Sequence, residues 1–119
     1  MRKARILVID DETVVGEVFI SAFEEYEIIP AANGEEALEV LDTSDKIDII
    51  VLDVMIPGLS GLELIRQMRK HSPRSKIVIL SGYSAENENI KKLSAEVDEV
   101  MEKPFDIGKT KEVFKKLLK

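Results

Sequence analysis

Five short apolar runs, separated by longer segments of helical period, constrain the fold of this chain more than any other feature. The runs are Ile6-Leu7-Val8-Ile9, Ile28-Ile29, Ile47 to Leu52, Ile77 to Leu80, and a weaker one around Val97 to Met101. The first, third and fourth are apolar at nearly every position and rich in β-branched residues. Strands buried on both faces of a parallel sheet read this way. Helical spacing fills the gaps. Thr13 to Glu25 sets Val14, Val18, Phe19, Ala22 and Phe23 three and four apart, and Glu35 to Leu41 gathers Ala37, Leu38 and Leu41. Leu62 to Met68 carries Leu62, Ile65 and Met68. Glu86 to Ala95 is the most polar, with Ile90 and Leu93, and Thr110 to Leu118 shows Val113, Phe114, Leu117 and Leu118. Asn33-Gly34, Pro57-Gly58, Ser60-Gly61, Ser72-Pro73 and Pro104 punctuate the segments. Five strand–helix alternations with short connections predict one α/β domain over residues 1–119, a parallel sheet with helices on both faces.

Composition enters where it excludes. With 45% hydrophobic and 34% charged residues in 119, the chain can bury a core without disulfides or a structural metal. It contains no cysteine, which removes disulfide and Cys-zinc chemistry and fits a reducing compartment. Its one histidine, His71, has no second imidazole to work with. A net charge of −6 and a pI near 4.9 argue against direct binding of nucleic acid, which needs clustered cations. Lys109, Lys111, Lys115, Lys116 and Lys119 concentrate at the far end, either as a solvated helix face suited to the helix dipole or as a partner surface. The basic start meets Asp10 and Asp11 too soon for a signal peptide, and no stretch approaches the roughly 20 apolar residues of a membrane helix. The expectation is a soluble, cytoplasmic protein.

In parallel α/β sheets, ligands sit beyond the carboxyl ends of the strands. Asp10 and Asp11 follow the first run, Asp53 ends the third, Ser81 follows the fourth and Lys103 the fifth. Three carboxylates, a hydroxyl and an ammonium would then share one rim. Clustered carboxylates raise one another's pKa unless a cation compensates, and Mg²⁺ suits oxygen ligands of this kind. Asp11 and Asp53 could ligate directly, with Asp10 holding a water. Each residue also has a local reading: Asp10 or Asp11 can cap the first helix, and Ser81 can open a turn.

These residues carry a resemblance as well. Ile6 through Glu12 (ILVIDDE), Ile49 through Gly58 (IIVLDVMIPG), Ile79 through Gly82 (ILSG) and Glu102 through Phe105 (EKPF) strongly resemble the receiver domains of two-component response regulators, the CheY-like family. Asn33 through Leu38 (NGEEAL) matches that family's opening of its second helix, and the likeness runs from about Ala4 to Leu118. The resemblance implies a flavodoxin-like strand order, 2-1-3-4-5, with five helices. It implies Asp53 as phosphoacceptor, and Asp11, Asp53 and the Met55 carbonyl as Mg²⁺ ligands, with Asp10 acting through water. Lys103 would pair with a phosphoryl oxygen, Ser81 would close on another, and the Lys103–Pro104 bond would be cis. The donor would be a phosphohistidine on a sensor histidine kinase or phosphotransfer protein. The chain would thus modify itself rather than turn over a separate substrate. Met55 and Tyr83 fall where the family tunes access of the hydrolytic water, and Gly82 leaves room beside the acceptor.

Two positions depart from the pattern. Val100 stands where an aromatic is frequent, and Glu96 where glycine is usual before the last strand, so that helix must end differently or accept strain. Val14, Val15, Val18 and Phe105 form a candidate kinase-docking surface, with ordinary core as the alternative for Val18. Three further readings stay open: a receiver cut from a longer regulator, an interaction module that takes no phosphate, and a metal-dependent phosphatase. The last needs Asp-x-Asp after the first strand, and Glu12 occupies the second place.

Overall fold

The computed structural model describes residues 3–11, 14–43, 46–54, 59–84 and 86–119, with residues 59 and 60 described by backbone alone. Five strands alternate with five helices: β1 (Arg5–Ile9), α1 (Val14–Ala22), β2 (Glu27–Ala31), α2 (Gly34–Thr43), β3 (Ile49–Val54), α3 (Leu59–His71), β4 (Lys76–Ser81), α4 (Glu88–Ser94), β5 (Glu99–Glu102) and α5 (Ile107–Leu117). The strands form one parallel sheet in the order β2-β1-β3-β4-β5, as the resemblance implies. No helix among the described residues is long and apolar enough to cross a membrane.

Side chains alternate across a strand, so each buried run feeds two cores. Leu7, Ile50, Leu52, Ile77 and Ile79 join Ala37, Leu41, Ile65, Met68 and Leu93 on the α2–α3–α4 face. Ile6, Val8, Ile49, Val51, Val78 and Leu80 join Val15, Phe19, Phe23 and Phe114 on the α1–α5 face. The second core is aromatic: Phe19 meets Phe23 edge-on at 5.0 Å between centroids, and Phe114 lies 5.4 Å from Phe23 and 5.6 Å from Tyr26. That register decides which strand-end residues can meet, because residues two apart leave on the same side.

Capping sets the helix starts. The Asn33 side chain accepts from the Glu36 N–H at 2.9 Å, the Glu36 carboxylate accepts from the Ala32 N–H, and Asp106 accepts from the Lys109 N–H at 3.0 Å. Several boundaries differ from the sequence reading for local reasons. Ile47 is buried but precedes the strand, because Asp48 turns its carboxylate to accept the Arg5 N–H at 2.8 Å. The first helix stops at Ala22 rather than Glu25, since Tyr26 N–H closes a turn on Phe23 O and Glu27 enters the sheet against Arg5. At Glu96 the helix does end differently. Ala95 keeps right-handed helical dihedrals (φ −67°, ψ −18°), and the Glu96 N–H closes on Leu93 O at 2.9 Å. The arginines of α3 then hold Glu96, Arg66 on its carboxylate and Arg69 on its carbonyl, both at 3.3 Å.

Candidate functional site

The carboxyl ends of three strands build the site. Asp10 follows β1, and its N–H extends the ladder to Ala31 O at 3.0 Å. Asp53 lies in β3 opposite Leu80 of β4. The Lys103 N–H donates to Ser81 O at 2.7 Å, which carries the β4–β5 pairing one residue past the strand and fixes the lysine. The Lys103–Pro104 bond is cis, as the resemblance implied. By register, Asp10 continues Ile6 and Val8, Asp53 continues Ile49 and Val51, and Lys103 continues Met101. All three therefore leave the sheet toward α1 and α5. They meet in a cavity of about 490 Å³ whose remaining lining, among the described residues, is Val14, Val15, Pro104 and Phe105.

The electrostatics centre on Asp53, whose side chain is only 4% exposed. Lys103 Nζ stands 2.5 Å from Asp53 Oδ1, but off the hydrogen-bonding axis, so this buried oxygen has no aligned donor. Burial pushes the Asp53 carboxyl above its usual range; the Lys103 cation pulls it back, and the Asp10 carboxylate adds repulsion. Asp10 is itself buried, and its Oδ2 accepts from the Val15 N–H at 2.9 Å. Asp10 thus does what a helix cap does while also facing the site. A buried carboxylate oxygen short of donors, beside a second carboxylate, suits a hard cation, which takes one or two carboxylates and completes its shell with carbonyl and water. Asp11 sits on the exposed turn after Asp10 and does not line the cavity, and Met55 lies outside the described residues. Among the described residues, no three Asp, Glu, His or Cys side chains gather in a metal-holding group. The described carboxylates that face the cavity are Asp10 and Asp53.

Ser81 is absent from the cavity lining. It continues the Ile77–Ile79 side of β4, facing away from α1 and α5, and is fully buried. Its hydroxyl accepts from the Tyr83 N–H at 2.9 Å and donates to Tyr83 O at 3.3 Å, the turn-opening role that its residue type allows. Gly82 has open space where a side chain would be, and Tyr83 is exposed. Val100 is half-buried, packed in the α2–α4 core opposite Ile79. The docking surface needs a correction. Val15 is buried at 7% exposure, because its side of α1 faces the aromatic core, whereas Val14 and Val18 are exposed at 54% and 36%. Phe105 is half-buried, its ring edge-on to Phe19 at 5.2 Å. Pro104, bonded to Lys103, also lines the cavity, a role that no periodicity announces. Of the terminal lysines, Lys111 pairs with Glu25 at 3.5 Å and Lys116 with Glu99 at 2.8 Å.

A larger cleft of about 600 Å³ lies at the amino ends of β3 and β4, lined by Lys46, His71, Arg74, Lys76 and Leu117 among others. The carboxyl ends of α3 and α5 reach it, so its cations sit where helix ends favour positive charge. Its one lining carboxylate among the described residues, Asp48, is held by the Arg5 N–H and by Lys46 at 3.5 Å.

Comparison with known proteins agrees with this geometry. A profile of the family described as "Response regulator receiver domain" matches residues 6–115. Response regulator MprA of Mycolicibacterium vanbaalenii is 39% identical over 103 residues, 85% of this chain and 44% of that protein. The alkaline phosphatase synthesis transcriptional regulatory protein PhoP of Bacillus subtilis is 38% identical over 103 residues, 85% of this chain and 42% of that protein. The chain thus spans less than half the length of these curated relatives. Response regulator TrrA of Thermotoga maritima, solved in complex with Mg²⁺ and BeF, superposes with a TM-score of 0.78 at 40% identity, covering 97% of this chain and 99% of that one.

Proposed function

The chain belongs to the response regulator receiver domain family of two-component systems, and on that premise we propose that it is a phosphorylation switch whose acceptor is Asp53. The donor is a phosphohistidine on a sensor histidine kinase or phosphotransfer protein. One observation carries the reading most: the buried Asp53 carboxylate opens into the cavity, lacks an aligned donor on Oδ1 and has the Lys103 ammonium beside it. A carboxylate in that position needs no base to make it a nucleophile.

Phosphoryl transfer asks the protein for position and compensating charge more than for covalent help. The Lys103 cation favours the ionised form of Asp53, against the burial that disfavours it. As the Asp53 oxygen bonds to phosphorus, negative charge spreads over the equatorial oxygens, and Lys103 can follow one of them. The Ser81 hydroxyl must leave the Tyr83 backbone to reach another. Asp53 and Asp10, with Asp11 on the adjacent turn and the Met55 carbonyl, are the groups assigned to hold Mg²⁺, which when bound supplies further positive charge to the transferring group. Asp10 acts through a bound water. Val14 and Phe105, which line the cavity, form the partner-docking surface together with the exposed Val18.

The chain catalyses its own modification and later hydrolysis, with no separate substrate. A second reading, the receiver portion of a longer regulator, is favoured by the coverage of under half of the relatives' length. Output would then reside in sequence beyond these 119 residues. The test of the acceptor role is intact mass after incubation with Mg²⁺ and acetyl phosphate. One phosphoryl adduct that needs Mg²⁺ and is lost in Asp53→Asn supports it; an adduct that persists in Asp53→Asn refutes it.

A further inference from the structure

We infer that the cleft at the amino ends of β3 and β4 binds a small amphipathic organic anion, with Arg74 and Lys76 holding its acid group and Leu41, Ile47 and Leu118 seating its ring. The cleft lies at the other end of β3 from Asp53, so the inference does not rest on the acceptor role. Its volume of about 600 Å³ falls within the roughly 300–1,000 Å³ of small-molecule sites. Leu41 and Ile47 are buried, and Leu117 and Leu118 are half-buried, so an apolar surface lies beneath exposed cations.

Charge selects an anion. The described lining carries Lys46, Arg74 and Lys76 against one carboxylate, Asp48, in a chain whose net charge is −6. His71 is engaged by Asp42, and Lys46 by Asp48 at 3.5 Å. Arg5, Arg66 and Arg69 each hold a carboxylate, whereas Arg74 and Lys76 hold none among the described residues. An arginine fork beside an ammonium suits the oxygens of a carboxylate, sulfonate or phosphate. The carboxyl ends of α3 and α5 favour positive charge here, but they do not call for a concave apolar floor beneath it. The turn that bears Arg74 is also held from within. Ser75 donates its hydroxyl to Ile47 O at 2.6 Å and its N–H to Ser72 O at 3.2 Å, and Arg69 holds Ser75 O at 3.0 Å. Because the Ser75 proton is committed to Ile47, the 2.5 Å contact between the two serine hydroxyls takes the Ser72 proton. Ser72 therefore offers the cleft only lone pairs, which leaves Arg74 and Lys76 as the uncommitted side-chain donors of the described lining. A turn fixed in this way loses little freedom when a ligand binds.

The test titrates the full chain, without Mg²⁺, with naphthalenesulfonate, which carries no phosphoryl group and leaves the acceptor chemistry aside. Sulfate supplies the charge alone and naphthylmethanol the ring alone. Amide NMR shifts at Ile47, Ser72, Lys76 and Leu118 read the binding. The expected result is saturable shifts at these amides, with the sulfonate bound about fivefold or more tighter than either control. The double variant Arg74→Gln, Lys76→Gln alters two exposed residues and leaves the core alone; it should weaken the sulfonate by about fivefold or more. No saturable shift at the cleft amides, shifts confined to Val14, Lys103 and Phe105, or an affinity unchanged in the double variant would each overturn the inference. Sulfate or naphthylmethanol binding as tightly as the sulfonate would overturn it too, since the site would then read only one half of the ligand.

Discussion

Replacing Asp53 by asparagine should stabilise the resting protein at neutral pH, although it removes the acceptor. The carboxylate side chain is 4% exposed, and burial is the largest influence on its ionisation. Burying one ion costs several kcal/mol, and a pair recovers this only with good geometry. Here the approach of Lys103 is off-axis, and the Asp10 carboxylate repels. Removing one member of a buried pair usually strands the other. Lys103, however, keeps 31% of its side chain exposed and can turn to water or to Asp10. The net gain for Asp53→Asn is then about 1–2 kcal/mol, or about 3–10 °C in Tm for a domain of this size. The sign of the pH dependence follows from the raised pKa. The folded state holds the Asp53 proton more tightly than the unfolded chain, so wild-type stability falls as pH rises from the ordinary value of 3.8 to the higher folded value. Above that window the advantage of asparagine is complete; below 3.8 the acid is neutral in both states and the advantage vanishes. Urea denaturation of both proteins from about pH 4 to pH 8 measures this. Equal or lower stability of the variant at neutral pH, or a gain that does not change with pH, would refute the reasoning.

Three other changes have directions that the geometry sets. Lys103→Met removes the cation beside the acceptor, and adduct formation from acetyl phosphate should slow on the order of 10²-fold by intact mass; a rate within threefold of wild type would contradict its role. Ser81→Ala takes the acceptor from the Tyr83 N–H, so amide exchange at Tyr83, followed by NMR, should quicken about tenfold. An unchanged Tyr83 rate would mean the turn is held by other contacts. Placing serine at both Met55 and Tyr83 should shorten the life of the phosphoprotein about threefold or more, by opening a path for water. Equal lifetimes of the two phosphoproteins would remove that role from both side chains.

How much of this was legible in the sequence depends on the kind of interaction. The apolar runs announced a doubly covered sheet, and Asp10, Asp53 and Lys103 were correctly expected at one rim, because strand ends are read directly from where apolar character stops. Which side of the sheet each residue leaves from needs register as well. Ser81 and Asp11 were grouped with these three; Asp11 sits on the exposed turn, and the parity of Ser81 within β4 follows Ile77 and Ile79 and sends it away from the cavity. The same counting along each run could have separated them. Val15 and Val18 are a subtler case. Both are valines on one short helix, and only the Phe19–Phe23–Phe114 cluster determines that Val15 turns inward and Val18 outward. The grip of Arg66 and Arg69 on Glu96 was illegible for a different reason. It joins residues about 30 apart through long side chains, and no local pattern encodes such contacts.

The most direct test of the account locates the phosphoryl group. The protein would be phosphorylated with acetyl phosphate and Mg²⁺, reduced with borohydride to convert the acyl phosphate to a stable alcohol, digested, and read by fragmentation mass spectrometry. The expected result is homoserine at position 53 alone, absent without Mg²⁺. Reduction at Asp10 or Asp11 instead, or labelling of Asp53 that is indifferent to Mg²⁺, would contradict the assignment of acceptor and cation site.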